Sequence, residues 1–446
     1  MPDMNAMNGK EVETGLRYEQ GALCFDNRPI EELVNRLGIP FWLVSERLLL
    51  EGAENIRQWF VRPDGGPVRI YYSAKTNCEI AVLSILHKAG LEAEIACGHE
   101  LELCLRAGFD ASRMCFDGPY KRPADLRAAL KAGLEIMNAD SIEDARRIAE
   151  AAKETGRKAQ LTFRLNLGIK GILPDLAERY IGKFGVPSSK ALAAYREATR
   201  LDGVEIAGVS THIGSQITKI EAYTQALERM FNLAETLERE GMKVREINLG
   251  GGFPSISLGR ITFLRAILGL LGMHKGVLSA PLELYGKTIT STFVRRLGRL
   301  KNNPILSIEP GRSVVSAAGV FVAPVVAVKD DWVFVDASVN YLPESFFFAQ
   351  RRFLPVKEAA KKRCKKRYNL AGSSLSSADV LGLGVLLPDI KEGDLLVLLD
   401  TGAYTMSRAN RFTTLCPPVY LLPLTGDPRM IRRAEETSDV LSPMVP

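Results

Sequence analysis

The sequence predicts an α/β protein whose main domain is a TIM-like (β/α)8 barrel followed by a C-terminal β-sandwich or β-barrel-like domain. Helical segments end in Ala-Gly plus an apolar residue at 89–91, 107–109 and 132–134, each just before a short apolar strand. Glycine after a helix supplies its left-handed cap. Eight candidate strands alternate with amphipathic helices, which favours a closed parallel barrel over the alternative, an open doubly wound sheet.

The barrel strands can be placed in order along the chain. They are expected at Val68–Ala74, Ala93–Cys97, Met114–Asp117, Glu135–Asn138, Gln160–Leu165, Val204–His212, Val244–Leu249 and Pro304–Glu309. The segment Asp140–Thr155 illustrates the helices between them. Ser141 and Asp144 have the spacing of a capping box ahead of an alanine-rich amphipathic stretch.

The alternation stops after Glu309, and apolar runs separated by turns follow. Strands are expected at Val320–Val328, Trp332–Ala337, Asp394–Leu399 and Val419–Leu422, with Ala22–Asp26 adding an N-terminal strand to this domain. The predicted organisation is therefore an N-terminal segment 1–41 and a barrel 42–311 with an insertion near 256–303. A C-terminal β domain 312–446 completes the chain.

Composition limits the classes of function. The 446 residues are 46% hydrophobic and 25% charged, as in a globular protein, and the net charge of +6 favours anionic ligands without predicting nucleic-acid binding. The most apolar stretch, 261–272, is shorter than the ~20 residues of a membrane span, so no membrane association is expected. Seven scattered cysteines form no Cys/His cluster of metal-ligand spacing, which indicates a cytoplasmic protein without a metal.

Unusual polar residues fall at the predicted strand ends, where barrels carry their chemistry. They are Lys75 on strand one, Glu94 on strand two, Arg164 on strand five, His212 on strand six, Gly250–Gly252 on strand seven and Glu309–Arg312 on strand eight. Four of these positions have a structural alternative: a solvated Lys75, a structural His212, a turn at the glycines, and a salt bridge at the core edge between Glu309 and Arg312. A lysine after an apolar strand can instead lose enough basicity for imine chemistry, and glycine N–H groups can bind an anion.

Five ordered motifs carry a family resemblance. They are Tyr-Ser-Ala-Lys75-Thr-Asn, His212-Ile-Gly-Ser215-Gln, Asn-Leu-Gly-Gly-Gly252-Phe-Pro, Glu309-Pro-Gly311-Arg312 and Gly402-Ala-Tyr404-Thr. From about residue 20 to 425, the chain resembles the fold-type III pyridoxal-phosphate decarboxylases, which include diaminopimelate, ornithine and arginine decarboxylases.

The resemblance implies a role for each motif. Lys75 would hold pyridoxal 5'-phosphate as a Schiff base, His212 would stack on its ring, and Glu309 would face the pyridine nitrogen, making these three the catalytic residues. The phosphate would bind Ser215, Gly252, Arg312 and Tyr404, and the cofactor-binding set is completed by Glu94, Arg164, Gly251 and Gly311. The resemblance also implies a head-to-tail homodimer with two shared active sites.

The chain departs from the family pattern where the substrate would bind. The family loop Gly-Pro-x-Cys-Glu/Asp-Ser-x-Asp is matched by 372–379, with Leu375 at the cysteine and Ser376 at the acid. In the family that cysteine protonates the substrate carbanion, so Lys75, His212, Tyr404, Ser377 or water must do so here. No arginine lies in 340–345, where diaminopimelate decarboxylases bind the distal carboxylate. The residues expected to contact the substrate are Leu375, Ser376, Ser377, Asp379 and Glu344.

These departures predict a PLP-dependent carboxy-lyase acting on a small-molecule amino acid through a non-standard substrate pocket, in specialised biosynthesis. Three alternatives remain open: diaminopimelate decarboxylase proper, a PLP-dependent racemase, and a non-catalytic PLP-binding homologue. The basic segment 357–367 is either a solvated face or a docking patch for an acidic partner protein.

Overall fold

A computed structural model describes residues 15–134, 136–169, 183–255, 279–343, 353–357 and 366–445. The strands are, in chain order, β1 (Leu16–Glu19), β2 (Ala22–Phe25), β3 (Arg28–Pro29), β4 (Phe41–Ser45), β5 (Val68–Ser73), β6 (Glu92–Ile95), β7 (Met114–Phe116), β8 (Ile136–Ala139), β9 (Ala159–Asn166), β10 (Val186–Pro187), β11 (Val204–Thr211), β12 (Glu246–Asn248), β13 (Ile305–Ile308), β14 (Gly319–Lys329), β15 (Trp332–Val335), β16 (Phe353–Pro355), β17 (Lys366–Ala371), β18 (Val380–Leu387), β19 (Leu395–Leu398), β20 (Val419–Leu422) and β21 (Arg429–Arg432).

The α-helices are α1 (Ile30–Leu37), α2 (Glu46–Trp59), α3 (Ile80–Lys88), α4 (Gly98–Ala107), α5 (Pro123–Lys131), α6 (Ile142–Thr155), α7 (Ser188–Ala198), α8 (Ile220–Arg239), α9 (Leu282–Leu297), α10 (Arg312–Val315) and α11 (Thr437–Leu441). Within the described residues, none combines the length and apolar composition that crossing a membrane requires.

The chain divides into two compact units. The barrel unit comprises Ala53–Pro254 and Ser279–Gly311, and the β unit comprises the described parts of Met1–Gly52, Ser255–Leu278 and Arg312–Pro446.

The barrel unit is a closed ring of eight parallel strands. Its order is β5, β6, β7, β8, β9, β11, β12 and β13, and β13 closes the ring by pairing Leu306 with Val68 of β5. The short β10 adds a parallel pair beside β9. The predicted barrel is thus confirmed, and the open-sheet alternative is wrong. The predicted strands differ from the observed ones by at most about two residues at an end, the precision expected of such boundaries.

The helices follow from local sequence signals. Ser141 caps α6 by accepting a hydrogen bond from the Asp144 backbone N–H at 3.1 Å, as the capping-box spacing predicts. Gly108 ends α4 with φ of 103°, a left-handed conformation that an L side chain resists. Such caps return the chain to the sheet within a few residues, which produces the β/α repeat.

Helix α9 lies within the segment 256–303, which the sequence predicts to be an insertion. It connects strands β12 and β13 and packs against α8. Its apolar face, with Tyr285, Ile289 and Phe293, is fully buried. The remainder of the proposed insertion, 256–278, lies outside the described residues and includes the apolar stretch 261–272.

The β unit contains a nine-stranded arrangement organised by β14. The first part of β14 pairs with β4 and β19, and its second part pairs with β15. The path runs β18, β17, β15, β14, β4, β20 and β21, with β16 bonded to β19. A long strand shared in this way lets the sheet turn, which is typical of sandwiches and barrels. The predicted C-terminal β domain is present in the described residues.

The N-terminal strand of this sheet is β4, not the predicted Ala22–Asp26. β2 pairs instead with β1 and β3 in a small antiparallel sheet and touches the C-terminal segment through a single bridge from Ala22 to Lys357. β4 is buried at all five residues and pairs with both β14 and β20, which places it inside the nine-stranded sheet. The predicted domain boundaries themselves stay a prediction.

Candidate active site

Lys75 lies directly after β5, in a single turn of 3-10 helix at Ala74–Thr76. Its Nζ donates to both carboxylate oxygens of Glu94, at 2.7 and 2.5 Å, and the Ser73 hydroxyl also donates to Glu94 at 2.5 Å. Glu94 is completely buried. The ion pair therefore fixes the lysine amine over the end of the barrel while leaving part of the side chain accessible.

Three carboxylates meet beneath this lysine. One oxygen from each of Glu94, Asp117 and Glu309 lies within 4.8 Å of the others, and all three residues are buried. Lys75 pairs with Glu94, and Arg164 pairs with Asp117 at 3.1 Å. The cluster thus contains two close ion pairs and a third acid.

Glu309 contacts neutral groups. Its Oε1 accepts from the Asn248 amide at 2.9 Å, and its Oε2 is 4.0 Å from His212 Nδ1. Burial, and then the negative charges of Glu94 and Asp117, raise the pKa of Glu309 well above its ordinary value. A group with a positive charge facing Glu309 would reverse this effect and hold the carboxylate ionised.

His212 is a neutral ring in this site. Its Nδ1 accepts a hydrogen bond from the Gly251 backbone N–H at 3.1 Å, so the ring proton resides on Nε2. Burial, and then the positive charges of Arg164 and Lys75, hold the pKa of His212 well below its ordinary value. The ring therefore stays uncharged at neutral pH and presents a flat face for stacking.

The loops after β11 and β12 pack backbone against backbone. A Cβ atom at Gly251 would lie 2.2 Å from the carbonyl oxygen of Glu309, and one at Gly252 would lie 2.3 Å from that of Gly214. Gly252 has φ of 89°, and its carbonyl accepts from Ile217 N at 2.9 Å. Only glycine permits this close approach, and backbone left bare of side chains is suited to an anion.

The remaining predicted residues of the barrel unit border this cluster. Gly311 packs against the side chain of Thr76, which joins the end of β13 to the Lys75 turn. Ser215 is exposed beside Gly214, and the Arg164 guanidinium lies 4.9 Å from the Phe184 ring centroid. The structure therefore brings a set of predicted residues to one end of the barrel: Lys75, Glu94, Arg164, His212, Glu309 and the loop Gly250–Gly252, called the glycine loop below.

Arg312 and Tyr404 belong to the β unit and lie together there. The guanidinium of Arg312 is 4.8 Å from the centroid of the Tyr404 ring, a cation–π contact. Arg312 is buried, and Tyr404 has φ of 55°, an uncommon left-handed conformation for a tyrosine. The burial of Arg312 and the constrained backbone of Tyr404 indicate that the two side chains are fixed against each other.

The loop that replaces the family cysteine is built around Asp379. This carboxylate is buried and accepts from Val339 N at 2.8 Å, from Ser374 N at 2.9 Å and from the Ser374 hydroxyl at 2.5 Å. Leu375, at the tip, is 91% exposed. Asp379 thus shapes the loop instead of facing solvent, and Leu375 is presented outward on a fixed backbone.

The other predicted substrate residues differ in accessibility. Ser376 uses its hydroxyl to accept from Ala378 N at 3.2 Å, and Ser377 is exposed. Glu344 lies outside the described residues.

Two members of the site were not among the predicted site residues. Asp117 follows β7 and holds Arg164, and Asn248 ends β12 and holds Glu309. The signal that identifies Lys75 and His212, a polar residue at the carboxyl end of a barrel strand, applies equally to both. The structure also brings together Cys97, His99 and Glu100, with the thiol 3.1 Å from His99 Nδ1.

Comparison with known proteins defines the class. The profile of the family described as "Pyridoxal-dependent decarboxylase, pyridoxal binding domain" matches residues 53–316. The chain belongs to this family of pyridoxal-dependent decarboxylases, and it is a carboxy-lyase that uses pyridoxal phosphate to decarboxylate an amino acid.

The chain is similar to several proteins that are named diaminopimelate decarboxylases. The chain is 30% identical over 408 residues to a diaminopimelate decarboxylase of Pseudomonas aeruginosa, covering 89% of this chain and 90% of that protein. It is 28% identical over 448 residues to the diaminopimelate decarboxylase of Aquifex aeolicus, covering 97% and 98%. The crystal structure of diaminopimelate decarboxylase from M. jannaschii in complex with L-lysine matches with a TM-score of 0.83 at 25% identity, covering 98% and 99%.

The barrel residues fit pyridoxal phosphate. Lys75 offers a primary amine at the barrel end, and the bare backbone at Gly251 and Gly252 suits a phosphate. Glu309 is a buried acid whose contacts are neutral and whose pKa is raised, so a protonated ring nitrogen is the partner that its surroundings favour. Because Glu94 and Asp117 are already paired with cations, Glu309 is the acid left to face the positive ring nitrogen.

Proposed function

We propose that this chain decarboxylates diaminopimelate, releasing CO2 and lysine. The observation that carries the reaction type is the set of Lys75, Glu94 and Glu309 at one end of the barrel. The substrate is supported by relatives named diaminopimelate decarboxylases that align over most of the chain. The proposal retains the residue roles implied by the motifs and the division into domains 42–311 and 312–446.

When bound, pyridoxal phosphate supplies a cationic conjugated ring that accepts the electron pair released as CO2 leaves. In our proposal, Glu309 holds a proton on the ring nitrogen, and Asn248 orients Glu309. Neutral His212 packs on the ring face without adding a competing charge. Glu94 positions the amine of Lys75, and the glycine loop holds the phosphate.

Lys75 is the proposed proton donor to the substrate Cα. With cofactor and substrate bound, the Lys75 amine would lie beside Cα, and its hydrogen bonds to Glu94 would hold it there. His212 is the weaker candidate, because its low pKa leaves almost no imidazolium at neutral pH. A positioned donor contributes about 10²–10⁴-fold to a proton transfer, which unordered water forfeits.

A homodimer with shared active sites is part of the proposal. Leu375 is a large apolar side chain at 91% exposure on a loop fixed by Asp379. An exposed leucine on a rigid loop is favourable if another surface covers it. In the proposed dimer that surface is the partner's barrel mouth. A cytoplasmic location is also proposed, supported by the six described cysteines, none of which forms a disulfide with another.

Leu375 also favours a second candidate, a different amino acid in a specialised pathway. A leucine cannot recognise an ammonium group or transfer a proton, so a substrate with an apolar distal end would suit it better than diaminopimelate.

Substrate identity can be tested by CO2 release from the purified holoenzyme. We expect turnover of diaminopimelate to exceed that of lysine, ornithine and arginine, because relatives across the chain share that named activity. Faster turnover of an amino acid with an apolar side chain would replace the first candidate with the second. Absence of CO2 from every amino acid, in protein that binds the cofactor, would contradict both.

Leu375→Cys tests the protonation proposal. We expect the variant to retain decarboxylation within about tenfold, because Lys75 rather than residue 375 delivers the proton. In D2O, wild-type product should carry deuterium on one face of Cα, since a held donor approaches from one side. The exposed Ser377→Cys variant is the matched control for adding a thiol to this loop. Racemic labelling by the wild type would contradict Lys75 as the donor.

A further inference from the structure

A second cluster of reactive side chains lies in the loop after β6. Cys97 Sγ is 3.1 Å from His99 Nδ1, and a carboxylate oxygen of Glu100 completes a set of ligand atoms within 4.8 Å of one another. Glu100 is buried, Cys97 is half-buried and His99 is exposed. The cluster is therefore anchored on its inner side and open to solvent on its outer side.

The backbone holds these groups in place. A Cβ atom at Gly98 would lie 2.4 Å from Asp125 Oδ1, so glycine allows the start of α4 to pack against the first turn of α5. The Ala96 backbone N–H donates to Glu100 Oε2 at 2.7 Å, which orients the carboxylate and leaves its second oxygen for a ligand. The site needs little rearrangement to bind, which lowers the entropic cost of binding.

The local charges favour a cation at this position. A second carboxylate, Asp125, lies against Gly98, between Cys97 and His99. A metal ion bound here would displace the thiol proton and offset the negative charge of the thiolate and the two carboxylates.

We propose that Cys97, His99 and Glu100 form a binding site for a thiophilic divalent cation, with Zn²⁺ as the best match. Zinc combines sulfur, imidazole nitrogen and carboxylate oxygen at about 2.0–2.3 Å, and its fourth position would take water or Asp125. Ca²⁺ and Mg²⁺ prefer all-oxygen sites and are disfavoured by the thiolate. This inference is independent of the proposed substrate.

Titration of the cofactor-loaded protein with Co²⁺, and with Zn²⁺ against a chelating indicator, tests the site. We expect one Zn²⁺ per chain and a thiolate-to-cobalt charge-transfer band in the difference spectrum. Cys97→Ser should abolish the band, and His99→Ala, at an exposed position, should weaken binding at least about tenfold. Cys78→Ser is the matched control and should bind like the wild type.

The spectrum separates this site from the carboxylate cluster beneath Lys75. Metal bound there would have oxygen ligands and give no thiolate band. Binding without that band, or unchanged Zn²⁺ affinity in Cys97→Ser and His99→Ala, would overturn the proposal. Loss of the band in Cys78→Ser would assign the metal to another thiol and overturn it as well.

Discussion

Replacing Lys75 with arginine is expected to abolish covalent attachment of the cofactor and to lower decarboxylation by at least about 10²–10⁴-fold. That factor is the contribution of a positioned proton donor alone, before the loss of covalent catalysis is added. Arginine keeps the positive charge beside Glu94 but cannot form a Schiff base, because its guanidinium remains protonated. Borohydride reduction followed by peptide mapping should label Lys75 in the wild type and nothing at position 75 in the variant.

The arginine variant separates chemistry from folding. Lys75→Ala would leave buried Glu94 without its nearest cation, and its loss of activity could then reflect instability, since an uncompensated buried charge costs several kcal/mol. Lys75→Arg retains a cation beside Glu94, so its melting temperature should be close to that of the wild type. Labelling of a different lysine in the wild type would refute the assignment of Lys75.

The sequence carried enough information to predict the barrel and most of its site. The spacing of hydrophobic residues in strands and helices, and helix caps such as Ser141, are determined by residues close together in the chain. They are present in the folded protein as the sequence predicts. The rule that chemistry lies at the carboxyl ends of strands then selects Lys75, Glu94, His212 and Glu309. The selection of these four residues depends only on the strand that each one ends or lies on. No contact between distant residues had to be known to make it.

The errors arose where contacts between distant residues decide the outcome. β2 and β4 are both short apolar segments, and only pairing with β14 and β20 distinguishes them. The hydrogen bonds by which Asp379 shapes its loop, to Val339 and Ser374, follow no periodicity and could not be predicted, while its role toward the substrate stays a prediction. The Cys97–His99 spacing matches none of the common zinc motifs, so the cluster emerges only from side-chain geometry.

Glu309→Gln is expected to retain the cofactor and lose turnover by about 10²–10³-fold. The carboxylate is proposed to keep a proton on the ring nitrogen, and glutamine cannot, which removes ~3–4 kcal/mol of transition-state charge stabilisation. Asn248 can still hydrogen-bond to the amide oxygen, so the geometry of the site should persist. Single-turnover rates and cofactor absorbance, measured together, distinguish lost chemistry from lost binding.

Glu246→Gln provides the matched control. Glu246 is also a buried glutamate of the barrel, two residues before Asn248 on β12, and burial raises its pKa as it does for Glu309. The substitution removes a buried carboxylate from the strand next to β13, at the opposite end from the site. We therefore expect Glu246→Gln to turn over substrate near the wild-type rate. If Glu309→Gln did the same, Glu309 would be a packing residue and the ring nitrogen would need another partner.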